Sequence, residues 1–156
     1  MKRRLVRTAG LIAFALAFFL PAVSDRDGGN VYSGWQCAAL TLGLVIHPLD
    51  GRSISSFNVR QDDLISGILF TLDGWVNPLV VAYLILLMFR GFRRTRRVLT
   101  WAIIACMFDC WIVIGMGLVP LIGHFLWAGG TLLILSPELL AFLKEYKTRE
   151  PALPKL

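Results

Sequence analysis

The sequence predicts an all-α fold, an integral membrane four-helix bundle with an external loop that carries a short interfacial helix. Of its 156 residues 56% are apolar and the mean hydropathy is +0.67, which is not the composition of a soluble domain. Residues 64–89 form an apolar run with one charge, Asp73, and exceed the roughly 20 helical residues that cross a hydrocarbon core. An arginine-rich block, residues 90–97, follows this run directly. Because loops rich in Lys and Arg stay in the cytoplasm, the block also predicts orientation.

The basic residues lie on one side of the predicted membrane. Thirteen of the sixteen precede the first apolar run, lie in 90–97 or follow the last run. The other three, Arg26, Arg52 and Arg60, share a segment with five aspartates. This asymmetry predicts a multi-pass chain with both termini in the cytoplasm. Topology and attraction to lipid headgroups account for the net charge of +6, and nucleic acid is not a predicted partner.

The first predicted span covers residues 5–23. Its basic start and apolar centre also describe a secretory signal peptide, for which Ala22, Val23 and Ser24 form an acceptable cleavage site. A retained helix is the favoured interpretation. Both alternatives leave Asp25 outside the cell, so the topology of the remaining chain is the same.

Residues 24–63 form the predicted external loop. The apolar piece from Trp35 to Ile46 has twelve residues and is too short to cross, which favours an interfacial or packed helix. Tyr32 and Trp35 at its start suit the headgroup level, where amphipathic rings settle. The rest of the loop is polar, with residues 53–58 a candidate extended segment.

Three further spans are predicted at residues 68–89, 98–117 and 121–143. Pro78 in the outer half of the second span predicts a kink, because proline cannot donate a helical hydrogen bond. Gly115, Gly117 and Pro120 supply a turn that makes the last two spans antiparallel. Residues 144–156 are a predicted cytoplasmic tail without a fold of its own, and residues 1–156 form a single membrane domain.

Two acidic residues inside the predicted spans are candidate proton or polar sites. Asp109 lies near the middle of the third span, where an uncompensated carboxylate costs about 2.5–3.5 kcal/mol. It is interpreted either as a proton or cation site or as a neutral group hydrogen-bonded to another helix or a partner subunit. Glu138 follows Pro137 and can help to solvate the carbonyl that the proline frees, or can reach Lys144 or the interface. The two acidic residues differ in depth, so no direct pairing is predicted.

A candidate external pocket is predicted at the outer end of the second span. Asp73 and Asn77 are four residues apart on one helical face, with Trp75 between them as an interfacial anchor. The pocket would be completed by the segment that contains Tyr32 and Trp35. The alternative is a set of polar residues at the headgroup boundary beside a helix kink.

Metal and redox chemistry receive little support from the sequence. His47 and His124 have no metal-ligand spacing, and neither a metal nor a cofactor is predicted. Cys106 and Cys110 are four apart inside a helix, where a disulfide would be strained, and Cys37 has no evident partner. Packing is the favoured role of these thiols.

Three short motifs carry a resemblance. They are Tyr32-Ser33-Gly34-Trp35, Trp75-Val76-Asn77-Pro78-Leu79 and Gly123-His124-Phe125-Leu126-Trp127. The pattern resembles small uncharacterised bacterial four-span membrane proteins, although His124-Phe125 replaces two tyrosines of that pattern. The resemblance implies a bacterial cytoplasmic (inner) membrane and no particular activity.

The leading functional hypothesis is a non-enzymatic accessory or structural subunit that packs against other membrane proteins in the bilayer. It depends on the absence of a catalytic constellation, on the small-residue patches 115–117 and 128–131, and on Asp109, which needs a partner. The alternatives are a small proton- or cation-coupled transporter or channel component that uses Asp109 with Glu138, and a membrane thiol oxidoreductase that uses Cys106 and Cys110.

Overall fold

The computed structural model describes residues 2–26, 29–46, 64–89, 91–115 and 117–149, which are mostly helical. Six helices and a three-stranded sheet lie in these ranges. In chain order they are α1 (Lys2–Ala17), β1 (Pro21–Asp25), β2 (Val31–Ser33), α2 (Gly34–Ile46), α3 (Leu64–Gly74), α4 (Val76–Leu87), α5 (Arg93–Gly115), β3 (Leu118–Pro120) and α6 (Ile122–Arg149).

Two of the described helices are long and apolar enough to cross a membrane. They are α5, whose most apolar stretch of 18 residues has a mean hydropathy of 2.1, and residues 122–148 of α6, where the corresponding value is 1.6. Helix α1 has 16 residues, and the predicted second span is divided between α3 and α4. The structure therefore confirms a mostly helical chain with two candidate spans, but not the complete four-span bundle.

The sheet corrects the all-α prediction. Its strand order is β2-β1-β3, and β1 is antiparallel to both neighbours, with Val23 opposite Tyr32 on one side and Pro120 on the other. Helix α1 ends at Ala17 rather than at Val23, because Pro21 has no N–H with which to continue a helix. Val23 is instead buried at the centre of the sheet, 5% exposed. The sheet joins the end of α1 to the connection between α5 and α6.

The predicted kink of the second span is an interruption between α3 and α4 at Trp75, whose backbone stays near helical dihedral angles (φ −77°, ψ −17°). The Pro78 ring occupies the space that the carbonyl of Gly74, four residues earlier, needs for helical geometry. The backbone forms a tighter turn at this point, in which the Trp75 amide donates to the Leu72 carbonyl at 3.1 Å. The proline predicted the distortion correctly, and the break falls three residues before it.

The arginine-rich loop and the tail are shorter than predicted. Helix α5 begins at Arg93, inside the predicted loop 90–97, and α6 continues to Arg149, inside the predicted tail. Glu145 forms ion pairs with Arg93 and Arg97, which ties the extended helix ends together. We call this side of the molecule the arginine end and the opposite side the sheet end.

Helices α1 and α6 run antiparallel and form the most extensive packing between any two described elements. Gly10 and Gly130 face each other at the crossing. A Cβ built at Gly130 would lie 2.6 Å from the Phe14 amide nitrogen and 2.9 Å from the Gly10 carbonyl oxygen, whereas one built at Gly129 meets nothing within 4 Å. The small-residue patch 128–131 therefore packs inside this chain.

An apolar layer crosses the middle of the helices. Val80 of α4, Ile103 of α5, and Ile134 and Leu135 of α6 are all 0% exposed. Along each helix the polar residues of the sheet end lie on one side of these residues, and those of the arginine end lie on the other. The layer therefore divides the interior into two separate polar regions.

Some predictions lie outside the described residues. These are His47 and the rest of the loop to residue 63, with its candidate extended segment 53–58, and residues 150–156 of the tail. Helix α2 confirms the short helix predicted from Trp35 to Ile46. Its interfacial location stays a prediction.

Candidate functional site

A cavity of about 90 Å³ lies at the sheet end, which we call the sheet cavity. Helices α1 to α6 and the sheet all contribute to its walls. Its lining is mostly apolar, with a few polar groups that converge on it, as is typical of small-molecule sites. The lining residues are Ala17, Phe18, Ala22, Val23, Gly34, Cys37, Ala38, Thr41, Asp73, Asn77, Cys110, Val113, Ile114, Leu118, Gly123, His124 and Trp127.

Asp73 is the acidic group of the sheet cavity. It lies on the last turn of α3, directly before the break at Trp75, and points toward α5. The Cys110 thiol donates a hydrogen bond to Asp73 Oδ1. A thiol is a weak donor, so the carboxyl retains most of its capacity to accept hydrogen bonds or to pair with a cation.

Asn77 and Trp127 form the second polar pair. The indole Nε1 of Trp127 donates to Asn77 Oδ1 at 3.0 Å, which links α4 to α6 across the cavity. This bond holds the amide oxygen, so the amide NH₂ is the donor that Asn77 offers to a ligand. Both residues belong to the motifs that carry the resemblance, and packing brings the two motifs together.

His124 is a cavity residue that sequence reasoning missed. It is 7% exposed, and its ring lies against Trp111 and Trp127 with centroid separations of 5.0 and 5.5 Å. Its Nε2 is buried and has no hydrogen-bond partner among the described residues. The sequence predicts no metal site at His47 and His124, and it places His124 in the third motif that carries the resemblance. Its position on the same face of α6 as Trp127, three residues away, was the available signal.

The structure brings two of the five residues of the predicted external pocket together at the sheet cavity. Asp73 and Asn77 line the sheet cavity, but Trp75, Tyr32 and Trp35 do not. Trp75 and Trp35 are 45% and 68% exposed, because the break in the second span and the start of α2 turn them outward. The same external segment contributes Gly34 and Cys37 instead.

Tyr32 belongs to the sheet rather than to the cavity. It pairs with Val23 in β1, and its side chain is half-buried. Burial, followed by the charge of Asp25, raises the pKa of the Tyr32 hydroxyl. The phenol therefore stays neutral at physiological pH, as expected for a structural group.

Asp109 is buried but does not line the sheet cavity. It is 7% exposed, and its Oδ2 has no hydrogen-bond partner among the described residues. It lies close enough to Asp73 for the two carboxyl groups to interact electrostatically. The chain itself therefore covers most of the Asp109 side chain.

Glu138 lies at the arginine end, on the other side of the apolar layer. Its Oε1 is 3.3 Å from Arg96 Nε and 3.7 Å from an Arg7 guanidinium nitrogen. The carbonyl of Leu133, which Pro137 frees, instead accepts a hydrogen bond from the Ser136 hydroxyl at 2.9 Å. Glu138 therefore binds arginines and neither solvates the proline break nor reaches Lys144.

No disulfide joins the three cysteines. Cys37, Cys106 and Cys110 are free thiols, and Cys106 lies outside the lining of the sheet cavity. Within the described ranges no three His, Cys, Asp or Glu side chains come close enough to hold a metal ion.

Comparison with protein-family models, with curated proteins and with solved structures gave no match to this chain. The resemblance to small bacterial four-span proteins therefore stays a prediction. The geometry of the two polar regions is therefore the basis for a proposed function.

Proposed function

We propose that this chain is a non-enzymatic, multi-pass protein of the bacterial inner membrane that binds a small amphipathic molecule in the sheet cavity. The observation that carries the proposal is the convergence of Asp73, Asn77 and His124 on one mostly apolar cavity. These groups come from three different helices, and two of them are positioned by hydrogen bonds to Cys110 and Trp127. A fixed set of polar groups in an apolar wall selects ligands by orientation.

Membrane insertion is supported by the outward faces of the helices. Phe108 and Ile112 on α5 are 70% and 56% exposed, and Leu140 on α6 is 65% exposed. Apolar surface of this extent is stable in lipid and is an association hazard in water. The arginine end gathers the described basic residues of α1, α5 and the end of α6, which supports its placement in the cytoplasm.

The structure also supports a retained first helix. Phe14 and Ala17 of α1 are 9% and 2% exposed and belong to the packed interior. Cleavage near Val23 would cut the central strand and would remove the helix that packs most extensively with α6.

The proposed orientation of the chain in the membrane predicts which positions react with a reagent outside the cell. In a chain whose three cysteines are replaced by serine, Gly29→Cys is expected to react with a membrane-impermeant maleimide from outside intact cells. Gly91→Cys is expected to react only after the cells are opened. Both glycines have open space for a side chain, so the two substitutions are matched. Labelling of Gly91→Cys in intact cells would overturn the proposed orientation.

The size and polarity of the sheet cavity limit the ligand. A cavity of about 90 Å³ suits a small ligand or one end of a larger one. Asp73 supplies an acceptor or counter-ion, and the aromatic faces of Trp127 and His124 suit a cation or a flat ring. A small aromatic amine, protonated at neutral pH, combines these properties.

Benzylamine is the corresponding probe and gives a second prediction. It is expected to raise the thermal midpoint of the purified protein at millimolar concentration, and benzyl alcohol is expected to have a smaller effect. The difference arises because only the amine can pair with the Asp73 carboxylate. Asp73→Asn is expected to abolish the preference for the amine, with about tenfold weaker binding for one lost charge-assisted bond.

Asp109→Asn is the matched control, because it makes the same change in a neighbouring buried carboxyl that does not line the cavity. It is expected to keep the preference for benzylamine. Equal responses to benzylamine and benzyl alcohol in the unsubstituted protein would contradict a role for Asp73 in ligand binding.

The other functions predicted from the sequence stay predictions. Co-purification of a second membrane protein in mild detergent would support an accessory subunit. Proton flux that is lost in Asp109→Asn vesicles would support a transporter. The thiol oxidoreductase has least support, since Cys110 donates to Asp73 and does not pair with Cys106.

A further inference from the structure

We infer that the arginine end contains a binding site for a phosphate-bearing anion, formed by Arg7, Arg96, Tyr83 and Glu138. The inference is independent of the sheet cavity, from which the apolar layer separates it. The shared chemistry is a phosphate group, which either an anionic lipid headgroup or a soluble phosphate can supply.

The four residues come from four different helices. Arg7 is on α1, Tyr83 on α4, Arg96 on α5 and Glu138 on α6. The side chains of Arg7, Arg96 and Glu138 are 29%, 15% and 11% exposed, and Tyr83 is completely buried. Helix packing fixes the positions of these side chains, so they cannot reorient freely into solvent.

The charges of this group do not balance. Among the described residues Glu138 is the one carboxylate that pairs with Arg7 and Arg96, so the three side chains carry one excess positive charge. The neighbouring pairs of Arg93 and Arg97 with Glu145 carry a second. A largely buried cation without a counter-ion is unfavourable, and an anion that binds between the helices removes the imbalance.

Hydrogen bonding points to the same ligand. The Tyr83 hydroxyl is buried beside Arg7, whose guanidinium is close enough to donate to its oxygen, and the hydroxyl has no further hydrogen-bond partner among the described residues. The Nε atoms of Arg7 and Arg96 also lack a hydrogen bond of good geometry among the described residues, although Arg96 Nε lies within ion-pair distance of Glu138. Guanidinium and phenol donors that converge on one place match the oxygens of a phosphate group.

The site is tested with protein reconstituted in phosphatidylcholine vesicles, with and without phosphatidylglycerol, and in phosphatidylcholine with added sodium phosphate. Phosphatidylglycerol is expected to raise the thermal midpoint of the unsubstituted protein. An equal rise with sodium phosphate identifies a soluble anion, and a rise with the lipid alone identifies a headgroup. No rise with either overturns the inference.

Variants separate a built site from general surface attraction. Arg96→Gln is expected to raise the phosphatidylglycerol content needed for half of the effect about tenfold, through the loss of one charge-assisted bond. Arg94→Gln makes the same charge change on the same helix at an exposed position and is expected to behave like the unsubstituted protein. Equal responses of these two variants would show that only surface charge acts.

Two further variants keep the test decisive if Arg96→Gln does not fold. Tyr83→Phe retains the packed ring and removes the donor, so it is expected to weaken the lipid response about threefold. Glu138→Gln raises the excess positive charge and is expected to strengthen the response, measured as the difference in midpoint between the two vesicle types. An unchanged response in both variants would overturn the inference.

Discussion

Gly130→Ala is expected to destabilise the protein by about 2–3 kcal/mol, the usual cost of forcing extra atoms into a packed contact. The added Cβ would lie 2.6 Å from a backbone nitrogen of α1 and 2.9 Å from a backbone oxygen. Backbone atoms cannot rotate away as a side chain can, so α1 and α6 have to separate along their contact. Thermal unfolding in detergent, followed by tryptophan fluorescence, measures the loss.

Gly129→Ala is the control for this substitution. Gly129 is the preceding residue of the same helix, and a Cβ there meets nothing within 4 Å. Alanine also favours the helix intrinsically, so the midpoint is expected to be unchanged or slightly higher. If Gly130→Ala is as stable as Gly129→Ala, the close approach of α1 and α6 does not exist in the protein.

Glu138→Gln is expected to cost about 2–3 kcal/mol in neutral lipid, because two arginines lose their shared counter-charge. The expected loss of stability is smaller than for a fully buried ion pair, because the Arg7 side chain is 29% exposed. Glutamine is nearly isosteric, so the effect reports charge rather than packing. Chemical denaturation in phosphatidylcholine vesicles measures it.

Glu145→Gln provides the comparison. Glu145 also binds two arginines, but it is 36% exposed and its partner Arg93 is 60% exposed. Solvent screens these pairs, and the expected cost is about 0–1 kcal/mol. Equal losses in the two variants would mean that burial does not strengthen the Glu138 pairs.

The sequence predicted a mostly helical chain and the long helices α5 and α6, but it predicted the ends of the helices poorly. Length and hydropathy identify the apolar runs of α5 and α6, because crossing a bilayer imposes a minimum length on either. The ends depend on contacts between distant residues. Arg93 forms an ion pair with Glu145, and Val23 pairs in the sheet with Tyr32 and Pro120. No local pattern contains these partners.

In the candidate site, too, residues close together in the sequence were predictable and contacts between distant residues were not. Asp73 and Asn77 were recognisable because helical spacing places them on one face. His124 and Trp127 complete the cavity only when α6 packs beside α4. Trp127 then donates a hydrogen bond to Asn77. Glu138 was expected to act near its own proline, whereas Ser136 takes that role and the antiparallel packing of α1 brings Arg7 to Glu138.

The apolar layer at Val80, Ile103 and Ile134 has a consequence for the cell. These side chains are completely buried, so they present no wet surface between the sheet end and the arginine end. A chain that spans the proposed membrane with this layer at its centre is expected not to leak hydrated ions at these positions. A ligand that binds in one polar region is therefore expected to influence the other region by moving the helices that contribute to both.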